Sequence, residues 1–295
     1  MKPSARFPGR QIPLMLALPQ LLLVALFFYW PACKAVWWSF NLVRPFGNGS
    51  LFVGLDNYVR ILSDATFYAS LRITAIFAVA GVGSGGLIAL ALAGFADLNL
   101  RGSAVFSNLL IWPYAIAGAV LGVIMRFIAN PIVGPLAHLN AIHPGLWAPQ
   151  SNGTEAIAVI TLAFAWTQVP FNFVIFLAAL RSIPQNYLAA AAIDGAGPVR
   201  RFFDIKLPML KPFILFVTVA SMIEAMTNSF GIVDTLTAGG PAGATNIIAY
   251  KIYSDGFVGL DLSGSSTLSV ILMFFILAMT FAQFRVFERR LDGGN

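Results

Sequence analysis

A chain of 295 residues with 58% hydrophobic and only 10% charged side chains lies far below the roughly 25% charge of a soluble domain, which excludes a soluble fold and makes lipid its main solvent. The net charge of +6 reads as membrane topology, with cations gathered on the cytoplasmic side, and does not imply nucleic-acid binding. The single cysteine, Cys33, excludes an intrachain disulfide.

Lys2, Arg6 and Arg10 form a short basic tail. The first span is predicted from Ile12 to Trp30, close to the roughly 20 residues a bilayer requires. Tyr29, Trp30, Trp37 and Trp38 make an aromatic belt at its far end. The context Trp30-Pro31-Ala32-Cys33 is faintly similar to a lipoprotein cleavage site, but the bulky Trp30 opposes cleavage, so the span reads as a retained anchor. Asn41 to Thr66 is polar, turn-rich and assigned outside. A second span follows from Phe67 to Ala96, then an inside loop with Asp97 and Arg101, then a third span from Val105 to Ala129.

The loop Asn130 to Gly153 contains no Lys or Arg and belongs outside. A fourth span runs from Ala156 to Leu180, a fifth from Phe213 to Val233 and a sixth from Thr267 to Phe287, with Arg289 and Arg290 inside. Counting Arg285, at the inner end of the sixth span, as inside, twelve of the 18 Lys and Arg fall inside, four outside, and Arg72 and Arg126 within spans. That bias predicts an all-α polytopic bundle of six transmembrane helices with both termini inside. No shift of composition marks a separate soluble domain, so residues 1–295 read as one transmembrane domain.

Few side chains suggest chemistry. No lysine follows a glycine, so there is no Walker A phosphate loop, and any ATP must be bound by another chain. Gly81-Val82-Gly83-Ser84-Gly85-Gly86 satisfies G-x-G-x-x-G, but it sits in an apolar span with no strand before it. Close helix packing in lipid accounts for these glycines better. His138 and His143 share an external loop with no cysteine nearby and read as solvated loop residues. No catalytic set, metal site or cofactor is expected.

Polar groups inside spans are costly in lipid and stand out for that reason. Gln168 and Asn172 lie four apart on one face of the fourth span, with Pro170 between them as an expected kink. Glu224 and Asn228 repeat the spacing on the fifth. Lining a solute path and hydrogen bonding between helices both fit the amides, while Glu224 points more to a path or a functional pairing. Arg72 and Arg126 lie near the external mouth. Attraction of an anionic solute and snorkelling to the interface both fit, the latter better for Arg72.

The least membrane-like long stretch is Arg181 to Pro212. Pro184 and Ala189 to Ala192 favour a short helix, Gly195 and Gly197 stop it, and Pro198 starts a second helix that Pro208 is expected to end. Its five cations put it on the cytoplasmic face. So short a helix needs a packing partner, and its narrow alanine face suits a groove in another protein.

Ala190-Ala191-Ala192-Ile193-Asp194-Gly195-Ala196, with Phe203, Ile205, Leu207 and Pro208, resembles the coupling loop, or EAA loop, of ABC importer permeases of the carbohydrate-uptake type. Phe52 to Val59, Asn130-Pro131 with Gly134, and Gly239-Gly240-Pro241 with Thr245, Tyr253 and Phe257 are also similar to that family. The likeness extends from about Leu14 to Glu288 and is greatest to the glycerol-3-phosphate-importing permeases, notably at Ala190 to Pro208 and Tyr250 to Leu262.

The resemblance implies a MetI-like permease of the bacterial inner membrane that moves solute by alternating access and has no ATPase site of its own. It implies a second permease as partner in a heterodimer, two ATP-binding subunits and an external solute-binding protein. Ala189, Ala190, Ala191, Ile193, Asp194, Gly195, Ala196 and Gly197 would dock the ATPase. The family's usual glutamate falls at Ala189, which removes one charged contact. The expected solute is glycerol-3-phosphate or a related phosphodiester, with a neutral sugar as the alternative. A stand-alone facilitator or ion-driven carrier fits the docking loop poorly, and an intramembrane enzyme would need a serine–histidine or paired-acid set that the spans lack.

Overall fold

Lipid offers the backbone no hydrogen-bond partner, so each crossing segment must satisfy its own amides, and the helix does this within one segment. The computed structural model describes residues 11–44, 46, 49–98 and 103–292. Lys2, Arg6, Arg10 and Arg101 lie outside the described residues, as do the side chains of Arg289 and Arg290.

The first span is longer than expected. α1 (Gln11–Val24) passes through a π-helical turn (Ala25–Tyr29) into α2 (Trp30–Ser39), so Trp37 and Trp38 stand on the helix itself. A hairpin follows, β1 (Asn41–Val43) antiparallel to β2 (Ser50–Phe52), with Asn41 opposite Phe52. α3 (Asp56–Leu62) leads to α4 (Ala65–Asp97), the second span.

The third span expected from Val105 to Ala129 is sharply bent in the structure. α5 (Ser103–Ile111) ends in a 3-10 turn (Trp112–Ala115), and α6 (Gly118–Ile128) starts in a new direction. The bend between Asn108–Ala115 and Gly118–Ile128 is 103°. Pro113 has no N–H to continue the ladder, and Ile116 and Ala117 are extended. After the short α7 (His138–Ile142), α8 (Gly153–Ser182) runs uninterrupted through Pro170. Asn152 caps it by accepting from the Thr154 N–H at 3.0 Å.

The loop then forms α9 (Gln185–Ile193), α10 (Pro198–Arg201), a π-helical turn (Phe202–Lys206) and α11 (Leu207–Met209). Pro208 therefore does not end the second helix. A proline lacks the N–H and crowds the carbonyl four residues back, and the wider π turn just before it relieves both problems. The chain bends instead at Leu210, by 65° between Pro198–Met209 and Lys211–Thr227.

The expected fifth span is also divided, into α12 (Lys211–Thr227) and α13 (Phe230–Leu236). At the division the Ser229 hydroxyl donates to the Ala225 carbonyl at 2.6 Å, a local side-chain bond of the kind that competes with the helical ladder. α14 (Ile248–Tyr253), a π-helical turn (Ser254–Val258) and α15 (Leu262–Asp292) complete the chain. Among the described residues four helices are long and apolar enough to cross a membrane, and six spans result if each bent pair counts as one.

The contacts divide the chain into two units. In the first, which joins the chain up to Asp64 with Ile252–Met273, the organising residue is Asn57, 4% exposed. Its amide donates to the carbonyls of Ser39 at 3.0 Å and Asn41 at 3.1 Å, tying α3 to the end of α2 and the start of β1. Arg60 reaches both oxygens of Asp261 at 2.7 and 3.2 Å, and Asp261 also accepts from the Gly264 N–H at 2.8 Å in the first turn of α15.

The second unit, Ala65–Lys251 with Phe274–Asn295, is built on α4 against α8. A Cβ at Gly81 would lie 2.7 Å from Phe164, and one at Gly85 would lie 3.1 Å from the Ala165 carbonyl. Gly83 and Gly86 have open space instead. Two of the four glycines therefore perform the close packing expected of them, on one face at helical spacing. Ala89, Ala93 and Ala96 continue that face against Phe173, Phe176 and Leu180, all buried. α6 and α13 approach as closely: a Cβ at Gly122 would stand 2.9 Å from the Ile232 carbonyl, and the Thr235 hydroxyl donates to the Ala119 carbonyl at 3.0 Å.

Candidate functional site

The bend in the third span opens a cavity of about 450 Å3 within the second unit. Irregular backbone at membrane depth is tolerated where it is buried in protein or lines a cavity, and Tyr114, Ile116 and Gly118 of this bend do line it. α8 contributes Phe164, Thr167, Gln168 and Phe171, and α12 contributes Ile223 and Glu224, with Asn228 just beyond its end. Tyr114 and Phe171 stack, with centroids 6.3 Å apart and planes at 19°. Asn228 donates its amide to Glu224 Oε2 at 2.9 Å. No Lys or Arg stands among the described lining residues. The wall thus offers an aromatic platform beside one carboxylate, two amides and the hydroxyls of Thr167 and Tyr114, a set suited to a solute carrying hydroxyl groups.

The five residues singled out for a solute path are not all brought together. Gln168, Glu224 and Asn228 line this cavity. Asn172 lies behind the wall, fully buried, where its Oδ1 accepts from the Ser221 hydroxyl at 3.3 Å and its Nδ2 has no partner. Arg126 lines a different cavity, of about 320 Å3, with Gln150, Thr237, Gly240 and Pro241. α6 connects the two: Gly118 faces the first and Arg126 the second, eight residues or about 12 Å further along the helix. Arg126 occupies the last turn of α6, where a cation also suits the helix dipole. Arg72 is exposed on α4 and lines neither cavity.

Sequence reasoning missed Tyr114, Thr167 and Phe171. The signal for Tyr114 was present in Trp112-Pro113, a proline where an unbroken span was expected. Phe171 carried none, because an aromatic residue in an apolar span is ordinary.

The loop from Arg181 to Pro212 presents a second surface. α9 closes as a Schellman motif: Ala196 N–H donates to Ala191 O at 2.9 Å and Gly195 N–H to Ala192 O at 3.1 Å. Gly195 takes φ +81°, the left-handed conformation this motif requires. Leu188 is the buried residue of α9. Ala189, Ala190, Ala192, Ile193, Asp194, Gly195 and Gly197 are exposed, and Ala191 and Ala196 half-buried. Ile193 is 88% exposed, and Val199 and Phe203 beyond it are also open. These three side chains form an exposed apolar patch on a loop that also carries five cations.

The chain matches the family described as the inner membrane component of binding-protein-dependent transport systems over residues 81–293. It is 44% identical over 280 residues, 95% of both chains, to the sn-glycerol-3-phosphate transport system permease protein UgpA of Yersinia enterocolitica. It is 42% identical over 291 residues, 98% of both chains, to UgpA of Rhizobium meliloti. The fold is similar to that of a chain of a bacterial ABC transporter involved in the import of the acidic polysaccharide alginate, with a TM-score of 0.78 at 17% identity over 95% of this chain and 96% of that one. By its match to the family model and its identity to these permeases over nearly their full length, this chain belongs to the inner membrane components of binding-protein-dependent transport systems, the permeases of ABC importers.

Proposed function

We propose that this permease forms one half of the membrane path of an ATP-driven importer of sn-glycerol-3-phosphate or related glycerophosphodiesters. The observation that carries the solute class is 44% identity to a glycerol-3-phosphate permease along 95% of both chains. A second, related permease completes the path, two ATPase subunits bind on the cytoplasmic side, and a loaded binding protein delivers solute outside. The chain has no nucleotide loop, so ATP is hydrolysed by the partners. Residues 1–295 form a single transmembrane domain of six spans with both termini inside, α5 with α6 making the third crossing and α12 with α13 the fifth.

In this reading the cavity beside Gln168, Glu224 and Asn228 is the central part of the path, with Asn172 holding its wall to α12. The cavity at Arg126 is an outer stop that draws in the anion. Ala189 to Gly197 dock the ATPase. With alanine at the position of the family's glutamate, the exposed Ile193, Val199 and Phe203 supply apolar contact in its place. A neutral sugar is the second reading, favoured by the absence of any cation from the described lining of the central cavity.

Three measurements test these assignments. A topology reporter fused after Gly153 should face outside and one after Gly197 inside, since charge asymmetry directs insertion; the opposite location of either fusion removes the six-span arrangement. Gly195→Asp places a β-carbon at φ +81°, a strain of roughly 1–2 kcal/mol. The spans should still insert, while ATPase subunits no longer co-purify and uptake is lost; full retention of both would separate this loop from docking. Arg126→Gln, once shown to assemble normally, should lower glycerol-3-phosphate uptake more than uptake of any neutral solute the system accepts. Equal loss for both would make the arginine a structural anchor.

A further inference from the structure

The last turn of α4 and the π-helical turn of the docking loop meet at a contact that the solute path does not use. Lys206 Nζ donates to Asp97 Oδ2 at 2.5 Å, and the two side chains are only 16% and 12% exposed. Asp97 is the final residue of α4, where a carboxylate opposes the helix dipole and a neighbouring cation offsets that repulsion. Shielding from solvent leaves the attraction less screened than in a surface pair. The same π turn sets Phe202 over Gly94, where a Cβ would stand 3.3 Å from the ring. A charge pair and a ring in a glycine notch thus fix the loop to one helix end at two points, three residues apart on α4. The exposed pair Arg200–Asp204 on the same segment, at 61% or more exposure of each side chain, has no such reach.

α4 leads directly to the cavity wall. Gly81 and Gly85 seat it against Phe164 and Ala165 of α8, and a Cβ at Gly85 would also touch Gln168. Phe164 and Gln168 line the central cavity. From Gly94 to Gly81 the helix spans about 20 Å, and closely packed small-residue contacts transmit displacement because they leave no slack.

We propose that Lys206 and Asp97, with Phe202 in its notch at Gly94, are positioning residues that form a strut. The strut carries movement of the docking loop onto α4 and so to the cavity wall on α8, in parallel with the covalent route through α12. This rests on the loop being the ATPase-docking element.

The test uses the full assembly with its partner chains in liposomes, with glycerol-3-phosphate and loaded binding protein outside. Solute moved per ATP hydrolysed is measured alongside ATPase subunits retained. In Asp97→Asn and Lys206→Met the subunits should stay bound and hydrolyse ATP, while solute per ATP falls roughly tenfold, the order expected for loss of a shielded charge-assisted hydrogen bond. The double exchange Asp97→Lys/Lys206→Asp should recover much of that ratio, and Lys206→Arg should keep it even if a single neutral variant assembles poorly. An unchanged ratio, a proportional fall of uptake and ATPase activity, or a double exchange that assembles without recovery would each overturn the strut. Loss of the ATPase subunits, the signature expected of Gly195→Asp, would also overturn it and leave the docking reading in place.

Discussion

The constraint on which everything else depends is the hydrogen-bonding demand of the backbone in lipid. It forces helices wherever the chain crosses, and it confines broken backbone to places where protein or a cavity receives the freed groups. The chain breaks its helices in two places beside the same cavity, at Trp112–Ala117 and at Asn228–Ser229. Residues at or next to both breaks line that cavity. The irregular backbone of these two breaks thereby faces a cavity that can receive its freed polar groups.

Close packing is the complement of those breaks. With lipid as apolar as leucine, no hydrophobic force holds helices together, so small residues and good fit must do so. Gly81 and Gly85 serve α4 against α8, and Gly122 and Gly231 serve α6 against α13. These two seams flank the cavity with rigid walls. Rigid walls suit alternating access, in which helices move as bodies around a fixed path.

Composition and charge made the membrane class and the approximate positions of the spans legible, because hydropathy and cation bias act over whole segments. The local fold of the loop from Arg181 to Pro212 was legible at the level of single residues: Gly195 has the left-handed φ that its place after Ala189 to Ile193 required. The breaks were not, since hydropathy averages over Pro113 and Asn228 without registering a change of direction. That Arg126 lines a different cavity from Gln168 and Glu224 was not legible either, for a related reason. Spacing places residues on a face of one helix, but which cavity that face meets depends on the bend at residues 112–117. Pro208 misled because the π-helical turn that accommodates it has no signature in composition. The pairing of Lys206 with Asp97 spans 109 positions, and no local pattern announces it.

The central claim is that this chain helps move a phosphate-bearing glycerol derivative at the expense of ATP hydrolysed by partner subunits. It is tested most directly by uptake of labelled glycerol-3-phosphate into liposomes holding the wild-type assembly, with ATP inside and binding protein outside. Accumulation above the external concentration, abolished by omitting ATP or the ATPase subunits, is the result expected. Accumulation that persists without either, or ATP-driven uptake of a neutral sugar with none of glycerol-3-phosphate, would contradict it.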